Sequence, residues 1–249
     1  MDLKEAKDFN NSRHPWELAR LDALRRILRS TLRDGLRVLD LGCGDGFVSR
    51  ELFNGMAVSV TAVDSNFTAS DMAALSGQSR NITYSKTLGE DGSFDLVLLL
   101  DVVEHVQDDL GLLMGIAQKR LASGGRVLMT APAFNALFSG HDRFLGHKRR
   151  YNPGELDSLA RRAGLKTISS GYLFTTLLLP RAISAASEKI FGKVNADQRG
   201  AGSWRGGRAA TFLVKAALDI DNSLLFALNR AAGIRLPGLT GWVLCEKQR

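Results

Sequence analysis

A glycine-rich segment narrows the possible folds of this 249-residue chain, and it reads Val38-Leu39-Asp40-Leu41-Gly42-Cys43-Gly44-Asp45-Gly46. An apolar run of β type ends in three alternating glycines and is followed by Phe47 to Asn54, which has a helical pattern. Glycines lack a Cβ atom and tolerate positive φ, so a strand, a bare turn and a helix bring free backbone N–H groups close to a ligand. The segment predicts a nucleotide-type binding site.

The spacing of the glycines narrows the class of ligand. A dinucleotide fingerprint places its third glycine at the start of the helix, whereas here the glycines fall at 42, 44 and 46 and Phe47 follows them. An apolar run over 58–63 ends at Asp64, about 20 residues after the turn, which is the offset of a carboxylate that binds a ribose diol. The glycine spacing therefore disfavours a pyrophosphate ligand at this nucleotide-type site.

Apolar runs that predict strands alternate with segments that predict helices. Parallel neighbouring strands need crossovers of this length, so we expect a doubly wound α/β fold with a seven-stranded, mostly parallel sheet, an N-terminal helix over 16–33 and a helical insertion before the last strand. The predicted strands are 36–41, 58–63, 82–85, 96–100, 126–131, 165–173 and 242–246, and the predicted helices between them are 47–54, 68–75, 110–121 and 153–163.

This pattern divides the chain into four parts. They are an N-terminal helical segment (1–35), a core (36–173), an insertion (174–239) and a last strand (240–249). The insertion holds two apolar helical patterns, 177–191 and 210–231, joined by a Gly/Arg-rich linker over 192–208. It is open whether these helices form a lid, a dimer surface, a membrane-facing hairpin or additional core.

Charge and cysteine content limit the possible partners and the possible cellular compartment. Residues 1–129 carry 15 Lys/Arg and 18 Asp/Glu, whereas residues 130–249 carry 18 and 8. The basic half admits an anionic small-molecule partner, a phosphorylated carrier or an anionic membrane surface, or it is simply a solvated basic face. Only Cys43 and Cys245 occur, and the first residues are charged, so we expect a cytoplasmic protein, with peripheral membrane contact as an alternative.

Three motifs in this order resemble class I S-adenosylmethionine (SAM) dependent methyltransferases of the type 11/12 kind, which have a Rossmann-like fold. They are 39–46, 58–64 and 93–106, and the resemblance is close over 36–131. It implies SAM as cofactor. Where the family has an acidic residue after the third strand, this chain has Lys86-Thr87-Leu88, so either Thr87 contacts the adenine or packing holds it. The implied cofactor residues are Asp40, Gly42, Cys43, Gly44, Gly46, Asp64, Ser65, Thr87 and Asp101.

Two sets of residues could handle the proton of the acceptor. Asp101-x-x-Glu104-His105, completed by a histidine of the long 132–152 loop (His141 or His147), resembles the metal site of small-RNA 2′-O-methyltransferases, and quinone-biosynthesis O-methyltransferases look similar here. Our predicted ligand set for Mg²⁺, Mn²⁺ or Zn²⁺ is Asp101, Glu104, His105 and His141. The alternative is a metal-free general base, His141 or His105, with Glu104 beside it.

The same loop supplies the predicted acceptor-binding residues, His147, Lys148, Arg149, Arg150 and Tyr151. Cationic side chains there would bind a phosphate or carboxylate. We therefore expect O-methylation of a small-molecule or lipid-like acceptor that bears an anionic group, by a monomer or homodimer. The alternatives are an RNA methyltransferase, disfavoured because no RNA-binding module is visible, and a non-catalytic binding protein with this fold.

Overall fold

The computed structural model describes residues 13–89, 92–191, 204 and 206–248, and it contains a seven-stranded mixed sheet. The strand order is β3-β2-β1-β4-β5-β7-β6, and β7 runs antiparallel to both of its neighbours. The predicted α/β fold is confirmed. The strands are β1 (Arg37–Leu41), β2 (Ser59–Val63), β3 (Ile82–Ser85), β4 (Phe94–Leu100), β5 (Leu121–Pro132), β6 (Leu165–Leu173) and β7 (Thr240–Lys247).

Helices cover both faces of this sheet. The helices are α1 (Pro15–Leu28), α2 (Phe47–Leu52), α3 (Ala69–Ser76), α4 (Asp109–Lys119), α5 (Gly140–Leu145), α6 (Pro153–Arg162), α7 (Leu178–Phe191) and α8 (Arg208–Ala232), with short 3-10 helices at Val103–His105 and Asn135–Leu137. Residues of β4 alternate between two core layers. Leu96 and Leu98 pack in the layer that contains α1 and α8, and Val97 and Leu99 pack in the layer that contains α4 and α6.

The sheet order places a crevice next to the glycine turn. β1 lies between β2 and β4, and both neighbours run parallel to it. β2 and β3 lie on one side of β1, and β4 and β5 lie on the other side, so the strand order reverses at β1. Ligands in open α/β sheets bind beyond the carboxyl ends of the strands at such a switch point. The residues that follow β1, β2 and β4 therefore meet at one edge.

The long loop after β5 contains a helix that the sequence analysis did not predict. In α5, Ser139 and Asp142 form a capping box, and the helix ends at Gly146 in the left-handed conformation (φ 85°). β5 also begins earlier than predicted, at Leu121 beside Phe94, and an irregularity over 122–125 precedes the regular pairing of Arg126 with Leu96. α4 consequently ends at Lys119 rather than at 121.

The two helices of the insertion are present, as α7 and α8, while most of the predicted linker lies outside the described residues. α8 packs against α1 and β6. Asp221 of α8 accepts hydrogen bonds from the backbone N–H and the hydroxyl of Thr176 at 2.9 and 2.8 Å, and Asn222 accepts one from the N–H of Phe174 at 3.1 Å. Within the described part of the chain, no helix is long and apolar enough to cross a membrane.

We predict that Leu24→Ala destabilises the protein because Leu24 is fully buried between α1 and the sheet. The lost burial and the cavity should lower the free energy of unfolding by about 2–5 kcal/mol. Urea denaturation measures this change. The control is Ile168→Ala, at a residue of β6 that is 44% exposed, for which we expect less than about 1 kcal/mol. Equal losses in the two variants would contradict the packing of α1 on the sheet.

Candidate active site

The turn after β1 is shaped by positive φ angles that only glycine adopts easily. Gly42 and Gly46 have φ angles of 73° and 68°. A Cβ atom on Gly42 would lie 2.6 Å from the Val102 side chain, and one on Gly46 would lie 2.7 Å from the Tyr84 ring. The turn therefore needs glycines for two reasons, its backbone conformation and the close approach of neighbours.

Asp64 joins this turn to the end of β2. One carboxylate oxygen of Asp64 accepts a hydrogen bond from the N–H of Gly44 at 2.9 Å, and the other accepts one from the N–H of Asn66 at 2.9 Å. The Asp64 side chain is buried and directed at the turn, which is the position expected of a carboxylate that binds a ribose. Ser65 and Thr87 are exposed residues beyond β2 and β3.

Two other predicted cofactor residues lie buried beside the turn. Asp40 of β1 accepts a hydrogen bond from the Ser49 hydroxyl at 2.6 Å, and burial raises the pKa of its carboxyl to about 6. Cys43 is a buried thiol whose pKa is raised by burial and by the nearby Asp40. Both side chains face the interior. The N–H of Cys43 donates to the carbonyl of Val63 at 3.1 Å, so it is not the free donor that the sequence predicted.

Asp101, which follows β4, is held by a residue that the sequence analysis did not single out. Arg20 of α1 is 6% exposed and lies 2.8 Å from one Asp101 oxygen, while Thr130 donates to the other at 2.9 Å. Arg20 also donates to the Thr130 hydroxyl at 2.9 Å. Asp101 has a φ of 59°, which is unusual for a residue other than glycine and marks a constrained position. The sequence sign of this role is the position of Arg20 on the apolar side of α1, where a charged residue is unexpected.

A cluster of Glu104, His105 and His147 has donor atoms within 4.8 Å of one another. Glu104 is fully buried, and both of its carboxylate oxygens are without a hydrogen-bond partner among the described residues. Burial and the neighbouring Asp101 raise its pKa well above the usual range. A buried carboxylate that no protein group satisfies is expensive unless a cation or a proton compensates it.

His147 enters this cluster with its orientation fixed. Its Nδ1 lies 2.9 Å from an oxygen of Asp142, and its ring packs edge-on against His105 with 4.6 Å between the ring centroids. The backbone N–H of Lys148 donates to the carbonyl of Glu104 at 2.7 Å, which ties the loop to the turn after β4. Because Asp142 binds Nδ1, Nε2 is the nitrogen that remains for the cluster.

The cluster differs from the predicted metal-ligand set. Asp101 is engaged by Arg20 and Thr130, and His147 is the loop histidine that joins Glu104 and His105. His141 lies in α5 beside Asp142, partly buried, and burial together with Arg181 lowers its pKa. A neutral imidazole at pH 7 follows from this shift, which is the form that can accept a proton.

Asp142 is fully buried and holds the loop together. Arg150 donates to its two oxygens at 2.9 and 3.0 Å, Arg181 of α7 donates at 3.0 Å, and the N–H of Ser139 donates at 2.9 Å. These cationic and hydrogen-bonding partners hold the pKa of Asp142 well below its usual range. The carboxylate thus fixes α5, α7 and His147 relative to one another.

The predicted acceptor-binding cations are mostly engaged inside the protein. Arg150 is 4% exposed and also donates to the carbonyl of Ala133 at 3.0 Å, and Arg149 lies 3.3 Å from Asp109, which also accepts from the Tyr151 hydroxyl. Lys148 is exposed. The assignment of all five residues to acceptor binding stays a prediction.

We predict that Asp142→Asn lowers the free energy of unfolding by about 3–5 kcal/mol at pH 7, because it leaves buried cations without their counter-charge. The native pKa of Asp142 is depressed, so its stabilisation is present above about pH 4 and is lost as the pH falls further. The variant should lose less stability than the wild type between pH 5 and pH 3 in urea denaturation. A parallel pH dependence would contradict the ionic role.

Comparison with known proteins identifies the family. A family model described as a methyltransferase domain matches residues 13–170, which is more than half of the chain. A ubiquinone biosynthesis O-methyltransferase from Ruegeria sp. (strain TM1040) is 30% identical over 171 residues, covering 60% of this chain and 68% of the relative. One from Caulobacter sp. (strain K31) is 39% identical over 104 residues, so this chain spans only 40% of that relative's length.

A solved structure supports the fold over nearly the whole chain. A putative sarcosine dimethylglycine methyltransferase from Galdieria sulphuraria superposes with a TM-score of 0.55 at 18% identity, covering 94% of this chain and 86% of that one. At this identity the likeness concerns the fold alone. The family match shows that the chain belongs to the methyltransferase domain family.

Proposed function

We propose that this enzyme transfers the methyl group of SAM to an oxygen of a small-molecule or lipid-like acceptor that carries an anionic group. The observation that carries the proposal is the cluster of the buried Glu104 with the partly buried His105 and His147. It begins two residues beyond Val102, whose side chain packs against Gly42 of the cofactor turn. The named O-methyltransferases among the relatives support the choice of oxygen.

Methyl transfer requires the protein to align the acceptor with the methyl group and to remove a proton. Methyl transfer is an in-line displacement at a sulfonium, and its leaving group needs no protonation. The protein must hold the acceptor oxygen in line and take its proton. His141, whose lowered pKa keeps the imidazole neutral, and His105 are the groups proposed for that role. Lys148, exposed on the same loop, is proposed to bind the anionic group of the acceptor.

The cluster also fits a divalent metal ion. It offers one carboxylate and two imidazoles, and Glu104 lacks a protein partner for both oxygens. Asp142 orients His147 through Nδ1, which is the outer-shell contact commonly seen behind a metal-bound histidine. We propose Glu104, His105 and His147 as ligands of Mg²⁺, Mn²⁺ or Zn²⁺. Such an ion would lower the pKa of an acceptor hydroxyl.

An RNA acceptor is a weaker alternative. Arg149 and Arg150, which gave the loop its basic character in the sequence, pair with Asp109 and Asp142. Nucleic-acid binding relies on exposed cations that neutralise phosphates. The loop therefore offers less positive charge to RNA than its sequence suggests. A salt-sensitive gel shift with RNA would favour this alternative over a small acceptor.

We expect the wild type to bind SAM and S-adenosylhomocysteine in calorimetry, and Asp64→Ala to bind both about 10–100-fold more weakly, because hydrogen bonds to a charged group contribute about 1.5–3 kcal/mol. Asp95→Asn is the control, since Asp95 lies near the start of β4, at the opposite edge of the sheet, and pairs with Arg37. Failure of the wild type to bind either nucleoside would contradict the proposed site.

We expect Glu104→Gln and His147→Ala to weaken the affinity for Mn²⁺ or Zn²⁺ by about tenfold or more. Each removes one of the three proposed ligands, and loss of an outer-shell partner alone costs about 10–100-fold in affinity. Equilibrium dialysis followed by elemental analysis measures the bound metal without any activity. His14→Ala is the control, because His14 caps α1 away from the cluster. Equal metal content in all three variants would contradict the ligand assignment and leave His141 and His105 as the proposed bases.

A methyl-transfer assay tests the acceptor class. Labelled SAM is incubated with hydroxylated aromatic and lipid-like acceptors, each with and without a carboxylate or phosphate. We expect O-methylated product and a higher KM for acceptors that lack the anionic group. Lys148→Ala should remove that difference. Transfer to nitrogen alone, or an equal KM for both forms of each acceptor, would contradict the proposal.

A further inference from the structure

The solvent side of α8 is apolar along most of its length. The opposite side buries Leu218 and Leu225 against the body of the protein. On the exposed side, Leu213, Ile220 and Leu224 are 66, 63 and 59% exposed. A helix that covers a core normally turns polar residues to water. The exposed stripe advances in steps of three and four residues and consists of Leu213, Ala217, Ile220, Leu224, Ala227 and Ala231.

α7 presents a second stripe of the same kind. Leu179, Ile183 and Ile190 are 67, 61 and 72% exposed, and their spacing places them on one side of the helix. Large apolar side chains gathered in this way mark a surface that binds a partner or a lipid layer. The α8 stripe is the longer of the two, and we refer to it as the apolar face.

The charges around the apolar face are of one sign. On α8 and the segment that follows, the exposed charged residues within the described part of the chain are Arg208, Arg230 and Arg235. Lys189 of α7 is also exposed, and it donates to the carbonyl of Ala136 at 2.7 Å. The acidic residues of the two helices are engaged: Glu188 with Gly140 and Arg143, Asp219 with Lys215, and Asp221 with Thr176. The surface therefore combines apolar side chains with cations.

We propose that the apolar face docks on an anionic lipid surface, with α8 lying in the plane of the interface. Apolar side chains would enter the acyl boundary while the cations meet anionic headgroups. A second copy of the chain suits this face less well, because a two-fold contact would bring the same cations together. α8 has 25 residues, and no described helix is long and apolar enough to span a membrane, so the contact is interfacial.

The insertion that carries the apolar face is also fastened to the loop of residues 132–152. Arg181 of α7 donates to Asp142, and Glu188 of α7 accepts from the N–H of Gly140 at 2.7 Å. Both contacts join α7 to α5, which carries His141 and the 43% exposed Phe144. The docking proposal does not rest on the proposed function.

The test is sedimentation of the full chain with vesicles of phosphatidylcholine, with and without phosphatidylglycerol. We expect partition into the anionic vesicles, weakened by added salt, and about tenfold weaker partition for the double variant Ile220→Gln/Leu224→Gln. The control is Ile168→Gln, at an exposed apolar residue of β6 outside the apolar face. Circular dichroism and SAM calorimetry on each variant separate a docking defect from misfolding and from failure of the proposed methyltransferase site.

Several results would overturn the docking proposal. They are no partition of the wild type into anionic vesicles, equal partition into neutral vesicles, and unchanged partition of the folded double variant. Light scattering adds another: a wild-type dimer that dissociates in the double variant would assign the apolar face to a second copy of the chain.

Discussion

The hydrogen bond from the backbone of Gly44 to the carboxylate of Asp64 is the contact on which the cofactor site depends. It fixes a bare turn at the end of β1 against the end of β2, in the crevice where the strand order reverses. The turn can come this close because Gly42 and Gly46 have no side chains to strike Val102 and Tyr84. A nucleoside bound here would lie between the bare backbone of the turn and the Asp64 carboxylate. The N–H groups of Gly42, Gly44 and Gly46 already donate within the protein, so the turn contributes close approach rather than free donors.

A second constraint organises the acceptor side. Asp142 is buried and receives hydrogen bonds from two arginines and from a backbone N–H, and it orients His147 toward Glu104. This arrangement costs desolvation of several charges, which is recovered only when every partner is present. The loop after β5 therefore has a fixed conformation in the site. Arg181 joins it to the insertion that bears the apolar face.

The sequence predicted the fold well because local patterns determine most of it. The unbroken apolar run of β4 predicts a central strand that is covered on both faces. The structure agrees, because all four residues from Leu96 to Leu99 are 0% exposed. What the sequence did not predict depends on contacts between distant residues. Nothing near Arg20 in the chain indicates that it pairs with Asp101, and nothing near Arg150 indicates that Asp142 buries it. α5 was missed because six residues are too few for a periodic pattern.

The candidate site was predicted in part for the same reason. The glycine turn and Asp64 follow from spacing along the chain, and the structure places them together. The choice between His141 and His147 as the third member of the cluster depended on how the loop folds, and the structure brings His147 to Glu104 and His105. The roles of these residues in catalysis remain proposals that rest on geometry.

A crystal structure of the protein with S-adenosylhomocysteine would show whether the glycine turn and Asp64 bind the nucleoside. We expect the ribose hydroxyls to lie within hydrogen-bond distance of the Asp64 carboxylate, with the homocysteine portion over the turn from Gly42 to Gly46. A nucleoside bound elsewhere, or a ribose that makes no contact with Asp64, would contradict this expectation.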